Sequence, residues 1–273
     1  MVSFSKIYFK VDISDYIKQL QSFEEYSFSW DELVKKCHKT DTALKRELSR
    51  LVAKKEIVNL RKGFYLIIPP RYSKQEQLPV QLFTHKLFDY LDSNYYLGFY
   101  SAAKFHGAGH QQVQREYVMT DKAFPDIKKS SIDIHFFTTS KWPTKNILEK
   151  KSDAGIFKIS SPALTAVDLI HHQTKLGGIN RMIAILEELS EEINVQDIKD
   201  LLSWYPHKST LQRLGFLLED ELQVESNLYQ PIKEYLNTSK YYPVLLSPKS
   251  KERPGSIHNN WKVDVNIKIE SDL

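Results

Sequence analysis

The sequence of 273 residues has one cysteine, Cys37, and no run of about 18 apolar residues. A single cysteine excludes an intramolecular disulfide and a cysteine-based zinc finger. Without a long apolar run, no transmembrane helix is expected. The first residues lack the apolar core of a signal peptide, so we expect a cytoplasmic protein.

The charge is modest but unevenly distributed. The net charge is +4, and residues 1–75 hold fifteen Lys and Arg against nine Asp and Glu. The first quarter is therefore basic and the rest slightly acidic, which predicts a polyanionic partner at that end. The length predicts two domains, and the polar segment RYSKQEQLPV (71–80) is a natural joint. We expect one domain over residues 1–75 and a second over residues 80–273.

The N-terminal quarter has the pattern of three helices followed by a hairpin. DISDYIKQLQS, FSWDELVKKCHKT and TDTALKRELSRLVAKKEI each space apolar residues as a helix does. Ser29 can cap the second helix, and Thr40 or Asp41 the third. IVNLRKGFYLIIPP then alternates apolar and polar residues and turns at Gly63. This order predicts a winged helix-turn-helix, within an α+β protein of two domains.

The chemistry of this predicted domain suits double-stranded DNA. The hairpin turn carries Arg61 and Lys62, and a helix is narrow enough to enter the major groove. The outward positions of the third helix are polar or basic: Thr42, Lys45, Arg46, Ser49 and Arg50. DNA binding is our leading prediction. The alternatives are an ordinary solvated surface and a winged helix that binds protein.

The larger domain is predicted to be mixed α/β with a helix-rich second half. EYVMT (116–120) and SIDIHFFTT (131–139) read as strands, and YYLGFYSAAKFHG reads as a helix that ends at Gly107. His106 and His110 in HGAGH would share a helix face only if the helix continued, so we predict no metal site. His106 is instead expected to bond a carbonyl.

One pattern keeps an enzymatic alternative open. FPDIK (124–128) faintly resembles the Pro-Asp…Lys of restriction-type nucleases, in which carboxylates hold magnesium beside a lysine. Asp126 and Lys128 would need a second carboxylate, from Asp133 or Asp264. This alternative is a Mg-dependent nuclease or nucleotide-processing enzyme.

The remainder of the domain has no recognisable catalytic constellation. Ser161 and Pro162 open a helix that carries Asp168, which we expect to be a satisfied buried carboxylate. Gly177-Gly178 reads as a turn, since no Lys-Ser or Lys-Thr follows. Several amphipathic helices come next, and the alternating segment from Trp261 to Ile269 is predicted to return to the sheet. We predict no catalytic residue, no metal and no cofactor.

Taken together, the chain resembles the AbiEi-type antitoxins of type IV toxin–antitoxin (abortive infection) systems. The resemblance extends from about residue 30 to the C-terminus. Glu56 departs from it, because such winged helices often have Gly before the wing. Four stretches carry it: LVAKKEIVNLRKGFYLI, YYLGFYSAAKFHGAGHQQ, SSPALTAVDLIHH followed by GGINR, and STLQRLGFLLE followed by NNWKVDVNIKIE.

The resemblance implies a function that composition alone does not. Members of this family bind inverted repeats in their own promoter through the winged helix and repress their operon. Their larger domain opposes a nucleotidyltransferase toxin without forming a stable complex with it. By this resemblance the DNA-contacting positions are Lys45, Arg46, Ser49, Arg50, Arg61 and Lys62. The family supplies no catalytic residue to carry over.

Overall fold

The computed structural model describes residues 11–74, 77–109 and 115–270. The chain divides into two compact units. The first contains the chain up to Asn94 with residues 122–136 and 149–157, and the second contains residues 95–121, 137–148 and the chain from Lys158 onward. The predicted boundary at 71–80 therefore lies inside the first unit, and residues 75 and 76 lie outside the described residues.

The described residues form a mixed α+β protein. The helices are α1 Ile13–Ser22, α2 Trp30–Lys36, α3 Asp41–Ala53, α4 Thr84–Tyr90, α5 Phe99–Ala103, α6 Pro162–His171, α7 Gln173–Leu176, α8 Ile179–Glu192, α9 Val195–Leu202, α10 Lys208–Phe216 and α11 Ser226–Asn237. The strands are β1 Ser27–Ser29, β2 Ile57–Arg61, β3 Phe64–Ile67, β4 Tyr95–Leu97, β5 Glu116–Thr120, β6 Ile127–Lys129, β7 Ile132–Thr138, β8 Ile147–Ser152, β9 Gly155–Ser160, β10 Val244–Leu245 and β11 Val263–Asp264. None of the described helices is long and apolar enough to cross a membrane.

Local sequence explains where the first three helices begin. The side chain of Asp12 accepts a hydrogen bond from the Ile13 amide at the start of α1. Ser29 and Glu32 form a capping box at the start of α2, in which each side chain accepts from the other residue's backbone amide. Thr40, rather than Asp41, caps α3. The three helices therefore begin where the sequence predicts.

These helices are followed by a small antiparallel sheet of order β1-β3-β2. The turn between β2 and β3 contains Lys62 and Gly63, and Gly63 has φ +78°, a conformation that favours glycine. The Trp30 amide donates to the Gly63 carbonyl at 2.7 Å, which ties the turn to the start of α2. Apolar side chains of α1, α2, α3 and the sheet, among them Phe28 and Leu33, form one core cluster.

Residues far along the chain complete the first unit, which explains why it is not bounded at residue 75. Phe88 of α4 packs edge-on against Phe124 and Phe136, with ring centroids 6.2 Å apart in both pairs. Ser152 donates to the Gln81 carbonyl at 3.2 Å. Such contacts join segments separated by more than 30 residues, and composition along the chain does not reveal them.

A six-stranded mixed sheet has the order β6-β7-β5-β4-β9-β8. Its strand β4 pairs antiparallel with β5 and parallel with β9. The prediction of a continuous helix over YYLGFYSAAKFHG is wrong at its start, because Tyr95–Leu97 form β4. All three residues are buried, and a short fully buried strand lacks the alternation that distinguishes it from a helix.

Helices fill the core of the second unit. Ser161 caps α6 and Pro162 is its first residue, as predicted. Residues 163–170 of α6 are all buried. Gly177 and Gly178, both with positive φ, make the predicted turn between α7 and α8.

The C-terminal segment does not return to the large sheet, so that prediction is wrong. Its strand β11 pairs in parallel with β10 in a separate two-stranded sheet. Trp261 and Val263 are fully buried and belong to the core cluster of the second unit. Apolar residues alternate in this segment because one side of it is buried against helices. A strand at the edge of a sheet would show the same alternation, so the sequence does not distinguish the two cases.

Candidate nucleic-acid interface and antitoxin domain

One face of α3 is exposed and basic. The buried side of the helix carries Leu44 and Leu48. On the opposite side, spacings of three and four residues place five predicted site residues on one surface, all of them exposed: Thr42, Lys45, Arg46, Ser49 and Arg50. We call this surface the α3 face.

The cations of the α3 face are open to a ligand. In the part of the chain that the structure describes, neither Arg46 nor Arg50 takes part in an ion pair. The Lys45 Nζ lies 5.5 Å from the centre of the Trp30 ring, and the Ser49 hydroxyl donates to the Lys45 carbonyl at 2.9 Å. The charge of this face is therefore not neutralised by neighbouring carboxylates.

The turn of the β2–β3 hairpin presents Lys62. Its side chain is exposed, while its carbonyl accepts a hydrogen bond from the Tyr90 hydroxyl at 2.9 Å. The Tyr90 ring also packs against Phe64, with centroids 5.2 Å apart. Lys62 is thus held on a turn that α4 supports.

Arg61 occupies a different environment from the other predicted site residues. Its guanidinium lies 5.5 Å from the Phe124 ring centre and 5.3 Å from that of Phe136. It donates to the Pro125 carbonyl at 2.7 Å, and burial lowers the pKa of Arg61. Arg61 therefore packs inside the first unit, and its contact with DNA stays a prediction.

The residues of the nuclease alternative have structural partners. Asp126 accepts from the Phe136 amide at 3.0 Å and lies 3.1 Å from the His135 Nδ1. Lys128 is the register partner of Asp133 in the β6–β7 pair, and Asp264 accepts from the Ser256 amide at 2.9 Å. Among residues 11–74, 77–109 and 115–270, no group of three His, Cys, Asp or Glu could hold a metal ion.

The HGAGH stretch ends a helix. A 3-10 turn over Lys104–His106 follows α5, and Gly107 closes it with φ +81°. The His106 Nε2 lies 2.7 Å from the Ser160 carbonyl oxygen, which confirms the predicted bond to a carbonyl. His110 lies outside the described residues.

A polar cavity of about 200 Å³ lies beside α6 in the second unit. The Tyr96 hydroxyl donates to Asp168 at 2.9 Å, as expected for a satisfied buried carboxyl. Burial nevertheless raises the pKa of Asp168 to about 8.

The rings of His171 and His207 stack with centroids 4.2 Å apart, and burial lowers the pKa of both. Sequence reasoning did not single out these histidines, and the only signal was the His171–His172 pair.

Replacing Asp168 with asparagine is expected to remove a pH dependence of stability. Because the pKa is near 8 in the folded protein and about 4 in an unfolded chain, only the folded form holds this proton between those values. The free energy of unfolding therefore falls as pH rises through that window, by about 1 kcal/mol per pH unit. The asparagine amide would still accept the hydrogen bond from Tyr96 but would not ionise. Denaturant unfolding should be measured for both proteins between pH 4 and 9. The free energy of unfolding of Asp168→Asn should increase relative to that of the parent as pH rises.

The matched control for this measurement is Asp200→Asn. The bond from Lys145 lowers the pKa of Asp200, so this group contributes stability above its unfolded pKa and loses it in acid. Its substitution should therefore lower the free energy of unfolding by a nearly constant amount across the measured range, because the pH dependence of this group lies below its unfolded pKa of about 4. A flat difference between Asp168→Asn and the parent across the whole range would contradict the buried-proton account.

Comparison with known proteins finds a family that resembles the middle of the chain. A family model described as the AbiEi antitoxin C-terminal domain matches residues 96–220. Residues 96–220 are therefore similar to the C-terminal domain of AbiEi antitoxins. The match confirms the resemblance seen in the sequence and supports an antitoxin role for the chain. The Asp168 cavity and the helices α6 to α10 belong to this AbiEi-like domain.

The fold is also found in a solved structure. The RV2827C protein from Mycobacterium tuberculosis shares the fold with a TM-score of 0.64 at 16% sequence identity, over 92% of this chain and 89% of that one. Identity at this level supports an argument about fold alone. No curated protein matches the chain.

Proposed function

We propose that this protein is an antitoxin that also binds the DNA of its own promoter through an N-terminal winged helix-turn-helix and represses its operon. The observation that carries this proposal is the exposed α3 face, whose arginines have no ion-pair partner among the described residues. The order α1-β1-α2-α3-β2-β3 supports the winged-helix assignment. In this arrangement α3 is the recognition helix, and the β2–β3 hairpin, with Lys62 in its turn, is the wing.

The dimensions and chemistry of α3 suit a DNA groove. Its 13 residues give a helix about 20 Å long, and the major groove is wide enough to admit an α-helix. Arginine pairs in bidentate fashion with guanine edges or with phosphates, so Arg46 and Arg50 are the proposed specificity residues. Thr42, Lys45 and Ser49 flank them, and Lys62 is the proposed backbone contact. Arg61 supports the hairpin from within.

We further propose that the AbiEi-like domain opposes a nucleotidyltransferase toxin without forming a stable complex. The family match over residues 96–220 supports the antitoxin part, and the resemblance of the whole chain supports the choice of toxin class. A non-enzymatic mode of action agrees with this family match. The proposed site of action is cytoplasmic.

A binding titration tests the DNA part of the proposal. The full chain is titrated onto a labelled duplex from its own upstream region and onto a shuffled duplex of equal length, at several salt concentrations. We expect tighter binding to the upstream duplex, with an affinity that falls steeply with salt because each phosphate contact releases about one counterion. Equal binding to both duplexes, or binding that does not respond to salt, would contradict sequence-specific recognition.

Co-expression tests the antitoxin part. The gene next to this one is expressed from a separate inducible promoter, with and without the full chain. A nucleotidyltransferase reading frame there, whose toxicity the full chain relieves, is the expected result. Unrelieved growth arrest at matched protein levels would contradict the assignment.

A further inference from the structure

Another cavity of the second unit has the features of a ligand site. Its volume is about 350 Å³, and it lies where the α7–α8 turn meets the segment that follows β10. Its walls include Gly178 and Asn180 at the start of α8, Gln173 of α7, and Ser247 and Lys249. The site therefore combines residues of the AbiEi-like domain with residues beyond it, and none of its lining residues belongs to the α3 face.

One side of this cavity presents hydrogen-bond donors. Helix α8 has 14 residues, and its N-cap Gly178 supplies no side-chain cap. The first-turn amides of such a helix carry partial positive charge and bind anions. Lys249 is exposed and pairs with no acidic side chain in the described part of the chain. This side is suited to a phosphate or a carboxylate.

The other side presents two acceptors without donors. Gln173 is 1% exposed, and its Oε1 is buried with no hydrogen-bond partner. Its amide nitrogen donates to the Ile170 and Leu246 carbonyls, each at 3.2 Å. Because these bonds fix which end of the amide is nitrogen, the oxygen must remain the unsatisfied end.

Asn180 repeats this arrangement. Its amide nitrogen donates to the Lys268 carbonyl at 3.2 Å, and its Oδ1 is buried without a partner. A buried oxygen left without a donor is destabilising by about 1–3 kcal/mol. Two such atoms on residues that line one cavity therefore point to a ligand that supplies the donors. A fully ionised anion does not supply them, and the P–OH of a phosphate belongs to the group held on the opposite side of the cavity.

We propose that this cavity binds a small phosphate monoester that carries hydroxyl groups, such as a sugar phosphate. Its phosphate lies against the first turn of α8 and Lys249, and its hydroxyls donate to the oxygens of Gln173 and Asn180. The cavity falls within the usual size range of small-molecule sites, about 300–1,000 Å³. This inference stands independently of the proposed DNA-binding function.

Calorimetric titration of the full chain with three probes tests this proposal: ribose 5-phosphate, ribose and inorganic phosphate. We expect ribose 5-phosphate to bind at least 10-fold more tightly than inorganic phosphate, and ribose to show no measurable binding. The amide NMR signals of Gly177, Gly178 and Ile179 should shift on addition of ribose 5-phosphate. Equal affinity for ribose 5-phosphate and phosphate would overturn the role of the two acceptors, and no binding of either would overturn the site.

Two variants and one control separate the two halves of the site. Lys249→Ala should weaken both phosphate-containing probes about 10-fold. Asn180→Ala should weaken ribose 5-phosphate by a similar factor and leave inorganic phosphate unchanged. The control Lys251→Ala removes the same charge from an exposed neighbour that does not line the cavity. An equal loss of affinity in Lys251→Ala would overturn the proposal, and unchanged thermal unfolding of each variant shows that a loss reports binding.

Discussion

Replacing Arg46 and Arg50 together by alanine is expected to weaken binding to the upstream DNA by about 100-fold. A well-placed arginine contact to a base is worth about 1–3 kcal/mol, and both guanidinium groups are exposed on the α3 face. If both contact phosphates instead, the slope of log affinity against log salt should fall by about two. Neither side chain contributes to the core, so the unfolding temperature should not change. Fluorescence anisotropy at several salt concentrations measures both quantities.

The control for this pair removes equal charge from the other unit. The double variant Lys199→Ala/Lys240→Ala removes two exposed cations from the second unit. We expect less than a threefold loss of DNA affinity from it. A similar loss from both double variants would mean that net charge, and not the α3 face, drives binding.

Gly215→Ala is expected to destabilise the second unit by several kcal/mol, although alanine is the better helix former. In an exposed helix this change would stabilise by about 1 kcal/mol. Here a Cβ on Gly215 would overlap the indole of Trp261. Trp261 is fully buried, and its indole N–H donates to Glu219 at 2.6 Å, so the ring has little room to move.

A second substitution tests whether overlap with the Trp261 indole causes the loss of stability in Gly215→Ala. Trp261→Leu shortens the opposing side chain, so the double variant should recover part of the stability that Gly215→Ala alone loses. Chemical denaturation of the parent, both single variants and the double variant gives the coupling free energy. Additive effects of the two changes would contradict the steric explanation, as would a Gly215→Ala variant more stable than the parent.

Short-range signals in the sequence predict much of this fold. The capping box at Ser29, the Ser161–Pro162 helix start and the Gly63 turn each depend on residues within a few positions of one another. The exposed α3 face follows from the spacing of Leu44 and Leu48 on the same helix. Such features are local, and periodicity and caps are sufficient to find them.

Features that depend on distant residues were not predictable in this way. Arg61 looks like a wing-tip cation until Phe124 and Phe136, more than 60 residues later, pack against it. The Tyr95–Leu97 strand is fully buried, so its sequence has no alternation to mark it. The Gln173 oxygen is a candidate ligand contact only because Ser247 and Lys249 line the same cavity, and no local sequence pattern reveals this.

The central claim is that one chain joins an antitoxin domain to a separate DNA-binding surface on α3. The most direct test expresses the parent and the Arg46→Ala/Arg50→Ala variant at equal levels in cells with two readouts. One is a reporter driven by the protein's own promoter, and the other is growth under induction of the neighbouring toxin. We predict that the variant loses repression of the reporter and still protects the cells. Full repression by the variant, or a loss of protection equal to its loss of repression, would contradict the claim.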